Sequence, residues 1–196
     1  MPLNDRFDAA LEFASTLHRK QLRKIGQTPY IGHLLRVCGT VIEFGATEDE
    51  AIAALLHDAL EDQNRPGLAD EIAARFGDAV LEMVTALSDS TEQPRPPWRE
   101  RKEAFLARLR EATSSVRLIA AADKLDNVRS TITALQVFGD EIWTRFHGGR
   151  EGTLWYYRQI VAVLGEASEH ALVAELADAV ARLEAIAEGG GACTSR

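Results

Sequence analysis

Residues 47–62 read TEDEAIAALLHDALED. Thr47 followed three residues later by Glu50 is a capping box, in which the hydroxyl and the carboxylate each satisfy a backbone N–H that a helix start leaves unpaired. The AIAALL run that follows is apolar on every side, the pattern of a helix buried all round. Its end breaks the rule, because His57, Asp58, Glu61 and Asp62 follow directly on the apolar run. The helix is expected to run to about Asp62, where residues four apart share a face, with His57 over Glu61 and Asp58 over Asp62. His57 and Asp58, about 100° apart around the axis, then reach one point lying between their faces. A divalent metal ion is such a point, and imidazole with carboxylate suits manganese, iron, zinc or a similar ion.

A second apolar helix carries a comparable anomaly. Ser114 or Ser115 is placed to cap VRLIAAADKLDNVRSTITAL, residues 116–135, where Asp123 follows three alanines. A buried carboxylate needs a partner, since an unpaired one is very costly, and a metal supplies it. Asp123 and Asn127 share a face of that helix. His33 opens another helix directly after a loop and is a further candidate ligand.

The rest of the chain keeps the helical period. Phe7, Ala10, Leu11, Ala14 and Leu17 mark one face of a first helix, capped by Asn4 or Asp5. Residues 21–30, with Gly26 and Pro29, read as a loop, and a helix from about Ile31 to Phe44 stops at Gly45. Leu68–Phe76 and Asp78–Leu87 read as two short helices parted at Gly77. The proline-rich SDSTEQPRPPW, residues 88–98, is a loop, and Arg99–Glu111 a charged amphipathic surface helix. Residues 139–149 read as irregular. Two helices follow, from Gly152 or Thr153 to about Leu164 and from Ser168 to about Ile186. No alternating run of useful length suggests a strand. The expectation is an all-α single domain, a helical bundle of about eight to ten helices over residues 1–187, with a flexible C-terminal tail over 188–196.

Composition narrows the function. At 196 residues the chain can build one full core but not two comfortable ones. A net charge of -8 argues against a nucleic-acid partner, while leaving room for a small phosphorylated ligand held by a local basic cluster and a metal. Cys38 and Cys193, the two cysteines, have no metal-type spacing and suggest no disulfide framework. The start MPLNDRFDAALEF lacks the apolar segment of a signal peptide, and no apolar run approaches the ~20 residues of a membrane span, so a cytoplasmic protein with no membrane partner is expected. Homo-oligomerisation is left open.

The order of a histidine, then an HD pair, then an aspartate resembles the signature of the HD superfamily of metal-dependent phosphohydrolases. Four segments bring the chain nearer to the hydrolase domain of the RelA/SpoT alarmone enzymes and their small stand-alone relatives: HRKQLRKIGQTPYIGH (18–33), ALLHDALED (54–62), FGDAVLEMVTALSD (76–89) and AADKLDNVRS (121–130). The resemblance implies that His33, His57, Asp58 and Asp123 are the metal ligands. It implies that Glu61 and Asp62 position or activate water, that Arg23 and Lys24 meet the base and phosphates, and that Asn127 and Ser130 contact the nucleoside. The chain departs from the family pattern at Leu34, often proline; at Asp126, often an aromatic or histidine; and in residues 88–102, where the long enzymes carry a Thr-Lys sequence.

The activity so implied is metal-dependent hydrolysis of guanosine 3′,5′-bis(diphosphate)-type alarmones, releasing pyrophosphate from the 3′ position, with Mn2+ as the expected metal. Physical reasoning supports hydrolysis: a bound divalent ion lowers the pKa of its water and polarises a phosphoryl oxygen, and Glu61, one turn beyond His57, is placed to act as general base or to orient that water. Alternatives are a phosphohydrolase acting on another nucleotide, such as a nicotinamide dinucleotide phosphate or a nucleoside phosphate, and a non-catalytic nucleotide sensor. No glycine-rich phosphate loop supports kinase or synthetase chemistry. Trp155, Tyr156 and Tyr157 read as core aromatics or as a stacking surface for a base.

Overall fold

The computed structural model describes residues 3–63, 65–89, 94–167 and 170–189. Among these the chain forms ten α-helical segments and one 3-10 segment, with an isolated bridge between Leu22 and Pro29 as the only extended pairing. The all-α expectation therefore holds for the described residues.

The helices are α1 (Asp5–Leu17), α2 (Ile31–Glu43), α3 (Glu48–Leu56), α4 (Ala59–Asp62), α5 (Leu68–Phe76), α6 (Asp78–Leu87), α7 (Trp98–Glu111), α8 (Ser114–Phe138), α9 (Gly149–Ala167) and α10 (Ala171–Gly189). The 3-10 segment, Gly139–Arg145, occupies part of the stretch read as irregular. Helix α3 lies at the centre, with Ala51 through Leu56 fully buried among α1, α2, α6 and α8. Full burial of an Ile or Leu contributes about 1.5–3 kcal/mol, so Ile52, Leu55 and Leu56 anchor α3 in the core. Helix α8 is the second axis, packed on α2, α6 and α10.

Local signals set the helix ends. Thr47 and Glu50 form the capping box in both directions. Asn4 caps α1 through its side chain to Arg6 N, and its own N–H and amide donate to the buried Glu48 carboxylate at 2.9 and 3.0 Å. The starts of α1 and α3 are thereby tied together. Gly45, at φ +82°, takes the left-handed turn that ends α2, donating to Ile42 O at 3.0 Å.

Several boundaries differ from the sequence reading. The expected continuous helix to Asp62 breaks at the HD pair: α3 ends at Leu56, Asp58 sits at φ -97° and ψ 1°, and a single turn resumes at Ala59. The cap of α8 is Thr113, whose hydroxyl accepts from Val116 N at 3.3 Å, not Ser114 or Ser115. Helix α9 begins at Gly149 rather than Gly152 or Thr153, and α10 begins at Ala171; Ser168 lies outside the described residues. Helix α10 continues through residues 188 and 189, and the remainder of the expected tail, 190–196, lies outside the described residues, as do residues 90–93 of the proline-rich loop. Helix α7 is not a plain surface helix. It buries Phe105, Leu106 and Leu109, and turns Arg101, Lys102 and Arg108 inward.

Candidate metal centre and substrate groove

Three elements deliver four side chains to one point. The start of α2 brings His33, the break after α3 brings His57 and Asp58, and the middle of α8 brings Asp123. His33 Nε2 lies 3.5 Å from Asp58 Oδ2 and 3.3 Å from Asp123 Oδ1, and His57 Nε2 lies 3.0 and 3.6 Å from the same two oxygens. His33, His57 and Asp58 each offer a ligand atom within 4.8 Å of the others. The backbone turn at Asp58, rather than the spread of a regular helix, lets adjacent residues share this point.

The donor chemistry fits a divalent cation. Both imidazole Nε2 atoms are buried and lack a hydrogen-bond partner; the carboxylate oxygens are near in distance but not aligned to accept. Each opposite nitrogen is engaged: His33 Nδ1 with Asp126 Oδ2 at 2.6 Å, and His57 Nδ1 with Ala54 O at 2.8 Å. A carbonyl can only accept, so His57 carries its proton on Nδ1 and presents Nε2 to the centre; Asp126 favours the same tautomer in His33. Asp58 and Asp123 are oriented in turn, Asp58 by the Tyr30 hydroxyl at 2.5 Å, Asp123 by Lys124 Nζ at 2.5 Å and Asn127 Nδ2 at 2.6 Å.

Without a cation the four groups lean on protons. Burial opposes the charged imidazole, yet Asp123, Asp126 and Asp58 outweigh it at His33 and lift the ring to about 9. At His57, Asp58 and Asp123 overcome burial in the same way. Burial likewise opposes the charged carboxylates, but the imidazoles around Asp58, and Lys124 with the imidazoles around Asp123, hold both acids well below the usual range.

Glu61 and Asp62 leave the centre in different directions. Glu61 Oε2 accepts the Asp89 N–H at 3.0 Å and Oε1 lies 3.5 Å from Arg95. Asp62 Oδ2 accepts from Gln21 Nε2 at 2.6 Å, and the Gln21 carbonyl oxygen is held by Gln63 at 2.5 Å and by His18 at 2.7 Å. Burial first, then the Asp58 charge, raises both carboxyls above their ordinary range.

Asp58, Glu61 and Asp62 line a groove of about 910 Å³ beside the centre. Arg23, Lys24, Asn127 and Ser130 also line it, so the residues expected to meet substrate share one cleft. Arg23 donates to Asn127 Oδ1 at 2.9 Å, so Asn127 links the basic loop to Asp123. Tyr157 faces the groove, whereas Tyr156 packs in the core. Sequence reasoning missed Tyr30, Gln21, Asp89, Lys124 and Asp126. A signal existed for Asp126: like Asp123, it is a carboxylate in a buried helix and demanded a partner.

Residues 10–154 match the HD domain family. A Drosophila melanogaster protein, the guanosine-3′,5′-bis(diphosphate) 3′-pyrophosphohydrolase MESH1, is 32% identical over 143 residues, 71% of this chain and 75% of that one. The guanosine-3′,5′-bis(diphosphate) 3′-pyrophosphohydrolase of Aquifex aeolicus is 35% identical over 140 residues, and the chain spans only 19% of its length. A solved structure described as a metazoan ortholog of SpoT that hydrolyzes ppGpp superposes with a TM-score of 0.75 at 25% identity, covering 93% of this chain and 97% of that one. The match over residues 10–154 places the chain in the HD domain family.

Proposed function

We propose that the chain hydrolyses guanosine 3′,5′-bis(diphosphate)-type alarmones at the 3′ position, with His33, His57, Asp58 and Asp123 holding Mn2+. The observation that carries the reading is the pair of buried, unpartnered Nε2 atoms facing two oriented carboxylates, one of which, Asp58, lines a groove with a basic wall. The names of the relatives supply the substrate.

A bound divalent ion would supply a Lewis acid and a water of lowered pKa. Glu61 takes the proton of the attacking water; its raised carboxyl value suits a base working nearer neutrality. The new bond joins the water oxygen to the phosphorus next to the ribose. The bond from that phosphorus to the 3′ oxygen breaks, the electron pair stays on the oxygen, which takes a proton from solvent as Glu61 returns its own to solvent, and pyrophosphate departs with the phosphorus. Asp62, fixed by Gln21, orients the water. Arg23 and Lys24 meet the phosphates as charge-assisted donors, and Asn127 and Ser130 contact the nucleoside. Among the described residues no helix is long and apolar enough to cross a membrane, and the reading places the reaction in the cytoplasm, with a small nucleotide as partner and no nucleic acid.

Manganese-loaded protein assayed against a nucleotide panel tests this. Guanosine tetraphosphate should be the preferred substrate. Cleavage of a nicotinamide dinucleotide phosphate or a nucleoside phosphate instead would overturn the substrate, and nucleotide binding without turnover would make the chain a sensor.

A further inference from the structure

Three inward-facing cations of α7 converge on the two residues that follow α6, Ser88 and Asp89. The buried Asp89 carboxylate takes Arg101 and, at 3.0 Å, Lys102 Nζ. Arg108 Nη2 donates to the carbonyl oxygens of Ser88 and Asp89 at 2.9 and 3.2 Å. One helix thus fixes the carboxylate and both carbonyls of this turn. Arg101 and Lys102 both meet Oδ2, Oδ1 is buried without a hydrogen-bond partner, and the Asp89 N–H donates to Glu61 Oε2 at 3.0 Å.

Helix α7 is itself firmly seated. Trp98 at its start lies so close to Gly148 that a Cβ there would come within 2.7 Å of the indole. Lys102 Nζ lies 4.8 Å from the centroid of the buried Tyr156 ring. Burial, then the neighbouring Lys124, pulls the Lys102 ammonium below its ordinary range, against the attraction of Asp89 and Glu61. Two cations desolvated around one carboxylate add little over apolar packing as a source of stability. What they deliver is a fixed turn, and Glu61 is the side chain that the turn holds.

We propose that Lys102, with Arg101, is a positioning residue: by clamping the Asp89 carboxylate it fixes the backbone N–H that grips Glu61, so α7 aims the water-activating carboxylate. The proposal rests on the role given to Glu61 above, and its test has a readout that needs no turnover. Lys102→Met keeps length and loses charge, and Lys102→Arg restores charge.

The first readout is amide hydrogen exchange by NMR on metal-free protein. The Asp89 amide should be protected in the wild type, exchange about tenfold or more faster in Lys102→Met, and recover in Lys102→Arg, while α6 amides stay unchanged. The second is steady-state kinetics with manganese. In Lys102→Met, kcat should fall about 100-fold, the scale of an ångström-sized misplacement, with KM and metal affinity within about twofold. Added to Glu61→Gln, the same change should cost nothing further, because the two act through one group. Wild-type protection of the Asp89 amide in Lys102→Met overturns the proposal, as does an equal loss of kcat in the Glu61→Gln background. If the exchange results hold while the wild type leaves guanosine tetraphosphate intact, the clamp stands and the substrate reading fails.

Discussion

Removing the Asp126 carboxylate should weaken the metal centre without touching a ligand. Asp126 Oδ2 accepts from His33 Nδ1 at 2.6 Å and Oδ1 accepts from Arg36 Nε at 2.5 Å. Asp126→Ala leaves a buried ring N–H without its acceptor, which costs about 1–3 kcal/mol. Loss of such an outer partner lowers metal affinity about 10–100-fold, or roughly 1.4–2.7 kcal/mol, so the two estimates agree. Calorimetric titration of Mn2+ into metal-free protein at fixed pH measures the effect. Arg36→Ala is the comparison, because that side chain is more than half exposed, holds Oδ1 closely through Nε and reaches Oδ2 only at 3.3 Å through Nη2; its affinity should fall much less than that of Asp126→Ala. Wild-type affinity in Asp126→Ala would show that the carboxylate does not orient His33, and an equal loss in Arg36→Ala would show that the guanidinium rather than the carboxylate fixes the ring.

Further outcomes follow from the same geometry. In metal-free protein His33 is raised to about 9 by its carboxylates, so its contribution to stability is complete below about 6.5, the unfolded value, and is lost as pH rises through about 9; the melting temperature of apoprotein should fall across that window. The same raised imidazoles mean that Mn2+ binding at pH 7 displaces protons, which calorimetry in buffers of different ionisation enthalpy will count. Glu61→Gln should lower kcat about 10²–10⁴-fold with manganese affinity retained. Because burial and the Asp58 and Asp89 charges raise Glu61, folded protein holds its proton more tightly than unfolded protein does. Stability therefore falls as pH rises through that range, and Glu61→Gln apoprotein should melt higher than wild type at neutral pH. Thr47→Ala removes the capping box at α3 and should cost about 1 kcal/mol, a drop of about 2–4 °C in thermal melting.

The helical architecture was legible because the period and the caps agree. Thr47 and Glu50 announced α3, Gly45 ended α2, and Leu68–Phe76 and Asp78–Leu87 fell on α5 and α6. Convergence of the candidate ligands was legible too, since ionisable residues in apolar helices need a reason. What pattern could not carry was the break at Asp58, because nothing in ALLHDALED lowers helix propensity enough to mark it. The side chains that orient the ligands were also hidden. Tyr30 and Gln21 sit in a loop where no period applies, and their partners Asp58 and Asp62 are 28 and 41 residues away. Helix α7 misled for a related reason: its charge density suggested a solvated face, while Arg101, Lys102 and Arg108 are paired inward.

The central claim, a divalent centre built from His33, His57, Asp58 and Asp123 that cleaves the 3′-pyrophosphate, meets its most direct test in one assay. Metal-free protein is incubated with guanosine tetraphosphate, Mn2+ is added, and the products are separated. No turnover is expected before manganese, then GDP and pyrophosphate in equal amounts, with both lost in Asp123→Ala. Turnover unchanged by chelation or by Asp123→Ala, or release of orthophosphate in place of pyrophosphate, would contradict it.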